Sequence, residues 1–330
     1  MTVVLLIAAL FVILLAAELF TNAVEWFGRR FELGEGAVGS ILAAVGTALP
    51  ETLVPIIAIL FMRSKTGDAI GVGAILGAPF MLSSLAMFVT GAAIVIFTLR
   101  GRRTLQVTIN ETVMRRDLSH FLIAYSAAMI AGVVTVPHVK WVLSPLLLLF
   151  YAYYVYETVK SEGDLSGDMK PLYFHRHPVM PHSHRIIFQL IVALAGIIGG
   201  AELFVKEVER LSVSLGADPL LVALLVAPIA TELPEKFNSV IWIRARKDTL
   251  ALGNITGAMV FQSTFPVSIG LIFTDWQLNA TGLVSGILAL TSGLVFYLTL
   301  RFKHTMTWWS IAGGGSMYAA YMAYVFVLAR

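Results

Sequence analysis

The chain has 330 residues, of which 58% are hydrophobic and 13% charged, with a mean hydropathy of +0.84 and a formal net charge of +3. So apolar a composition excludes an ordinary soluble domain, and so small a positive charge argues against a nucleic-acid partner. The absence of cysteine excludes disulfides and thiolate metal sites.

A membrane-spanning helix needs about 20 mostly apolar residues, and windows of that kind follow one another almost without pause. They fall at about 2–27, 34–62, 68–99, 118–136, 139–159, 185–212, 217–246, 249–273, 278–300 and 305–329. The first lacks a basic stretch before it and is too long for a signal-peptide core, so it reads as a retained span. Pro79 is expected to kink the third span. Tyr151, Tyr153, Tyr154, Trp308 and Trp309 read as aromatic belts at the membrane interface. The chain is therefore expected to be an all-α polytopic membrane protein. Alternate loops concentrate base: Arg29 and Arg30, then Arg100, Arg102 and Arg103, then Lys160 and Lys170, then Arg244, Arg246 and Lys247, then Arg301 and Lys303. Short cytoplasmic loops collect Lys and Arg, which predicts a multi-pass plasma-membrane protein with both termini outside.

An internal repeat organises these spans. An offset of 184 positions pairs Ala17-Glu18-Leu19-Phe20 with Ala201-Glu202-Leu203-Phe204, and Thr47-Ala48-Leu49-Pro50-Glu51 with Thr231-Glu232-Leu233-Pro234-Glu235. After a four-residue adjustment, Gly73 to Ala78 meets Gly253 to Ala258. Five spans per copy is an odd number, so the second copy enters the bilayer inverted. The predicted organisation is a first repeat over 1–159, a polar His-containing cytoplasmic linker over 160–184 and a second repeat over 185–330.

Glu51 and Glu235 lie inside long apolar spans, where an ionised carboxyl costs about 2.5–3.5 kcal/mol. Each follows a proline, which supplies no N–H, so the carbonyls of Gly46 and Ala230 four residues earlier lose their helical donor. In lipid a broken backbone is tolerated only where it is buried in protein or lines a wet cavity, so Thr-x-Leu-Pro-Glu predicts a discontinuous helix with its oxygens turned inward. Thr47, Thr231, Glu51, Glu235 and the carbonyls of Gly46 and Ala230 together offer only oxygen. That set suits a hard cation such as Na⁺, Ca²⁺ or Mg²⁺.

On these paired motifs the chain resembles the calcium/cation antiporter superfamily, above all the membrane domain of sodium/calcium exchangers. The resemblance covers nearly the whole chain. It implies ten helices in two inverted halves, outward termini, central cation sites and alternating access, with the first and sixth helices sliding against the rest. It adds Asn254, and Gln262 at a place where Asp or Asn is usual, to the expected cation ligands. It implies no cofactor and no enzymatic activity; the partners are inorganic cations and the lipid bilayer. The chain departs from the family at Ala48, Ala74, Ala78, Leu82, Glu232 and Ala258, where hydroxyl or amide ligands are usual. Its first half thus offers few side-chain ligands besides Thr47 and Glu51.

Lys236 stands four residues after Glu232, the favourable order for an ion pair on one helix face, and both are expected to modulate the site. Glu18 and Glu202 are weighed between a transport role and simple pairing near an interface; Glu25 and Glu209 read as solvated. His175, His177, His182 and His184 have a spacing compatible with Zn²⁺, but a polar loop is the simpler reading. Gly71, Gly73, Gly77, Gly253, Gly257 and Gly313 to Gly315 are expected to let helices approach closely. The expected function is a secondary cation antiporter. The alternatives are a cation channel, recognisable by uptake without a counter-ion gradient, and a divergent non-transporting member of the family. A membrane metalloenzyme finds no ligand motif to support it.

Overall fold

The computed structural model describes residues 2–30, 49–134, 137–161, 171–175 and 181–328, apart from the side chains of a few helical residues that include Glu25, Ala230 and 232–238. Besides one antiparallel bridge between Leu172 and His175, the regular structure among the described residues is helical. In chain order the helices are α1 Thr2–Arg30, α2 Leu49–Met62, α3 Lys65–Met81, α4 Met87–Leu99, α5 Glu111–Val133 and α6 Pro137–Ser161. There follow α7 Ser183–Leu215, α8 Pro219–Arg244, α9 Asp248–Phe273, α10 Ala280–Lys303, α11 Trp308–Ala312 and α12 Gly314–Leu328. Among the described residues six segments are long and apolar enough to cross a membrane, and Glu51–Met62 and Pro219–Ile229 are shorter apolar helices. Helix is the form such sequences must take in lipid, because each backbone polar group then finds its partner within the same segment.

Local chemistry sets the ends. Ser64 accepts from Gly67 N at 3.0 Å to start α3, and Asp218 accepts from Leu220 N at 2.9 Å to start α8, with Pro219 in its first turn. Gly216, at φ +61°, closes α7 in the left-handed conformation. Helix α5 begins at Glu111, well before the expected 118, because Asn110 caps it and its first charged turns find partners. A π-helical turn, Leu82–Ala86, joins α3 to α4 three residues beyond Pro79, so the irregularity follows the proline. The last expected span is divided at Gly313 into α11 and α12.

Helices α1 and α7 pair along their lengths, where Gly196 approaches Ala16, and Gly200 approaches Ile13 and the Ala9 carbonyl. Inside the bundle α2, α3, α8 and α9 each touch the other three. Helices α5 and α6 pack on α9, α10 packs on α3 and α5, and α11 packs on α4. At one end of the bundle Arg103 forms a doubly hydrogen-bonded pair with Asp248 at 2.7 and 2.9 Å, and Arg246 donates to the Arg102 carbonyl. At the other end Asn279 donates to Asp218 at 2.5 Å, and Leu278 N donates to the Gly132 carbonyl. The segment 171–175 is docked on α1 and α7: Asn22 donates to Pro171 O and accepts from Tyr173 N, while Gln189 accepts from Phe174 N.

Candidate functional site

Glu51 lies in the first turn of α2 and is 7% exposed, beside the buried Thr52, Val54, Ile57 and Ala58. The helix that carries it touches α3, α7, α8 and α9. An acid that far from water, in a helix otherwise as apolar as α2, is a cost that packing alone does not explain.

Thr231, in the matching stretch of α8, is 2% exposed and donates its hydroxyl to the Ala227 carbonyl at 3.1 Å. Helix α8 runs unbroken through Pro234, which corrects the expectation of a discontinuous helix there. Neighbouring helices and hydroxyl side chains let a membrane helix keep its course past a proline. Gly46 and Thr47 lie outside the described residues. So do the side chains of Ala230, Glu232, Glu235 and Lys236, and with them the expected Glu232–Lys236 pair.

Helix α9 supplies the remaining predicted ligands. Asn254 is half-buried and donates to Ser239 Oγ at 3.5 Å; Ser239 stands on α8 one turn after Glu235 and itself donates to the Ala251 carbonyl at 3.1 Å. Gln262 is 1% exposed, and among the described residues neither its Oε1 nor its Nε2 has a hydrogen-bond partner. Leaving a buried amide unsatisfied costs about 1–3 kcal/mol, so it needs a reason. Its carbonyl oxygen is a suitable ligand for a hard cation. Among the described residues no three His, Asp or Glu side chains come together as a metal cage.

The other sequence candidates have partners of their own. Glu18 is exposed and accepts from Tyr173 OH at 2.7 Å; Glu202 is exposed and pairs with Lys206 at 2.6 Å, one turn along α7. His175 contacts Arg185, the rings of His182 and His184 are 5.5 Å apart, and His177 lies outside the described residues.

Sequence reasoning missed four buried charged residues. The Arg103–Asp248 pair joins residues 145 positions apart, and nothing local announces it. Glu207, fully buried on α7, pairs through Oε1 with Arg210 at 2.5 Å, and among the described residues its Oε2 has no hydrogen-bond partner. Asp117 on α5 is 1% exposed and accepts from Thr256 at 2.7 Å and from Tyr154 at 3.0 Å. Tyr154 is thus a buried hydrogen-bond donor, which corrects its assignment to an interfacial belt.

Over residues 1–159 and 185–328 the chain matches the family described as sodium/calcium exchanger protein. It is 23% identical over 304 residues to the uncharacterized membrane protein MJ0091 of Methanocaldococcus jannaschii, covering 89% of this chain and 88% of that one. Its fold is similar to the crystal structure of the H⁺/Ca²⁺ exchanger CAX, with a TM-score of 0.74 at 16% identity over 99% of this chain and 86% of that one. It is also similar to the sodium-calcium exchanger NCX_Mj, with a TM-score of 0.59 at 20% identity over 98% and 97%. The native YfkE structure gives a TM-score of 0.68 at 13% identity over 98% and 89%.

Proposed function

Because this chain belongs to the sodium/calcium exchanger protein family, we propose that it is a secondary antiporter exchanging Ca²⁺ or another hard cation for Na⁺ or H⁺ by alternating access. In this reading the ten spans form two inverted five-helix halves in the plasma membrane with both termini outside. The cation is held by Glu51 and Glu235, assisted by Thr47, Thr231, Asn254, Gln262 and the carbonyls of Gly46 and Ala230.

The observation that carries the proposal is the burial of Glu51 at 7% exposure on a helix in contact with both α8 and α9. Glu235 holds the matching register of α8 in the internal repeat. Two carboxylates at one place cannot both stay charged in a dry interior without a counter-charge. A divalent cation supplies it on one leg of the cycle, and Na⁺ or protons supply it on the return leg. Exchange follows from that exclusivity: the empty, doubly charged site is the state least able to move through the occluded form. Neutral oxygens such as the Gln262 amide help complete a shell that for Ca²⁺ needs six to eight ligands, and water fills positions that the first half leaves without side-chain oxygen.

The test is flux into proteoliposomes of the full chain, with Ca²⁺, Mg²⁺, Mn²⁺, Na⁺ and K⁺ each offered under an imposed Na⁺ or pH gradient. Uptake should require the opposing gradient, and Glu51→Gln should reduce it to background. Wild-type flux in that variant removes the site assignment, and uptake without any counter-ion gradient makes the protein a passive pore.

A further inference from the structure

Asp117 is the most fully partnered buried acid among the described residues outside the proposed site. Its Oδ2 accepts from Thr256 Oγ1 at 2.7 Å; its Oδ1 accepts from Tyr154 OH at 3.0 Å and from the Arg116 guanidinium at 3.3 and 3.4 Å. That guanidinium also lies over the Tyr154 ring, 5.3 Å from its centroid. One carboxylate therefore ties together α5, α6 and α9.

The α9 surface it grips is specific. Gly253, Thr256 and Gly257 are spaced to share one helix face, and a Cβ added at Gly253 would lie 3.5 Å from Met114 Cε, while one at Gly257 would lie 3.4 Å from Tyr154 OH. Asn254 points another way, to Ser239 on the helix that bears Glu235. The same helical turn is thus held by Asp117 on one side and presents Asn254 to α8 on the other. Apolar contact would hold α9 against α5 equally well, and exchanging a buried polar cluster for apolar packing is often neutral for stability. What apolar contact does not supply is direction. A hydroxyl-to-carboxylate bond fixes the rotation of the helix about its own axis.

We infer that Asp117 is a positioning residue for cation binding: by holding Thr256 it sets the rotation of α9 that aims Asn254, and two turns further Gln262, at the transported ion. The inference rests on the antiporter reading above. Groups that orient metal ligands without touching the metal typically change metal affinity by about 10–100-fold when removed.

The test measures saturation of Ca²⁺, Mg²⁺ and Mn²⁺ uptake separately in proteoliposomes of the full chain for Thr256→Val, Thr256→Ser and Asp117→Asn, alongside Glu51→Gln. Thr256→Val keeps the shape and loses the donor. It should raise the apparent KM for the transported cation by about tenfold or more, with the maximal rate changed by less than about threefold. Thr256→Ser restores the donor and should restore the KM. Asp117→Asn keeps an oxygen for Thr256 and should fall between the two; should it fail to fold, the two Thr256 variants decide alone. A wild-type KM in Thr256→Val overturns the inference, as does a fall in maximal rate and thermal stability with KM unmoved, because the network then only stabilises the bundle. Glu51→Gln separates the two levels. If it transports normally, the antiporter site itself is wrong; if it is silent while Thr256→Val binds normally, only the role of Asp117 fails.

Discussion

Helices α3 and α9 stand 180 positions apart in the internal repeat and share a Gly-x-x-x-Gly pattern, yet they are held in place by opposite means. The long buried run of α3, from Ile70 to Met81, contains no polar side chain. It is positioned by contact: a Cβ added at Gly73 would lie 2.2 Å from the Leu220 carbonyl oxygen, and one at Gly77 would lie 2.2 Å from that of Leu224. Helix α9 buries Asp248, Thr256, Gln262, Ser263, Thr264 and Ser268 and is oriented by directional bonds to Arg103, Asp117 and Ser144. Close backbone contact fixes distance, whereas polar bonds fix rotation. Helix α3 is thereby placed as a close-packed wall, and α9 carries Asn254 and Gln262, the side chains proposed as ligands.

The sharpest break in this comparison lies at the two helix starts. Asp248, in the first turn of α9, is buried against Arg103, with side-chain exposures of 2% each, and also accepts from Thr108 N at 3.0 Å. Asp68, its counterpart in the first turn of α3, is half-buried and bears partial desolvation first and the charge of Asp275 second. Removing one partner of a buried pair leaves the other uncompensated, so Arg103→Met should cost about 3–5 kcal/mol. Asp68→Asn should stay within about 0.5 kcal/mol. Thermal unfolding of the purified protein in detergent compares them directly, and equal shifts in the two variants would mean that the ends are not differently built.

A second variant tests the wall. Gly77→Ala places a methyl group 2.2 Å from the Leu224 carbonyl oxygen and 2.7 Å from Pro228 Cγ, and backbone cannot yield as a side-chain tip does. The expected cost is about 1–3 kcal/mol, read as a lower Tm. Gly199→Ala on α7 is the control, because among the described residues a Cβ there meets nothing within 4 Å. A Gly77→Ala protein as stable as that control would mean that α3 and α8 can separate at little cost.

The helical class and the apolar segments were legible in the sequence for a physical reason: apolar length and the spacing of small residues are local properties. Glu51 announced itself because an acid amid apolar residues is anomalous wherever the chain goes. Gly73 and Gly77 did so because a repeat of small residues has few other uses in a span. Asp117 was hidden for the opposite reason. It lies one residue from Arg116 in a basic stretch, where hydropathy reads a loop, and its burial depends on Thr256, 139 residues away. Arg103 was likewise counted only as a topology signal. The course of α8 through Pro234 depends on neighbours that a proline in sequence does not reveal.

Gln262 gives the comparison its finest test, because the polar half carries an amide that stability alone would remove. Its counterpart in the repeat is Leu82, fully buried in the π-helical turn. Gln262→Leu therefore makes the two halves alike at this position. With no hydrogen-bond partner among the described residues, the amide carries its desolvation cost uncompensated, and Leu of similar size should raise stability by about 1 kcal/mol in the absence of cation. A ligand that binds only the folded state raises Tm in proportion to its affinity, so Ca²⁺ should stabilise the wild type more than the variant. A crossing of the two Tm curves as Ca²⁺ is added is the expected signature of an oxygen kept for an ion at the expense of the fold. If Gln262→Leu is destabilised without cation, the amide is structural; if the two proteins respond equally to Ca²⁺, it does not touch the ion, and the asymmetry between α3 and α9 is one of packing alone.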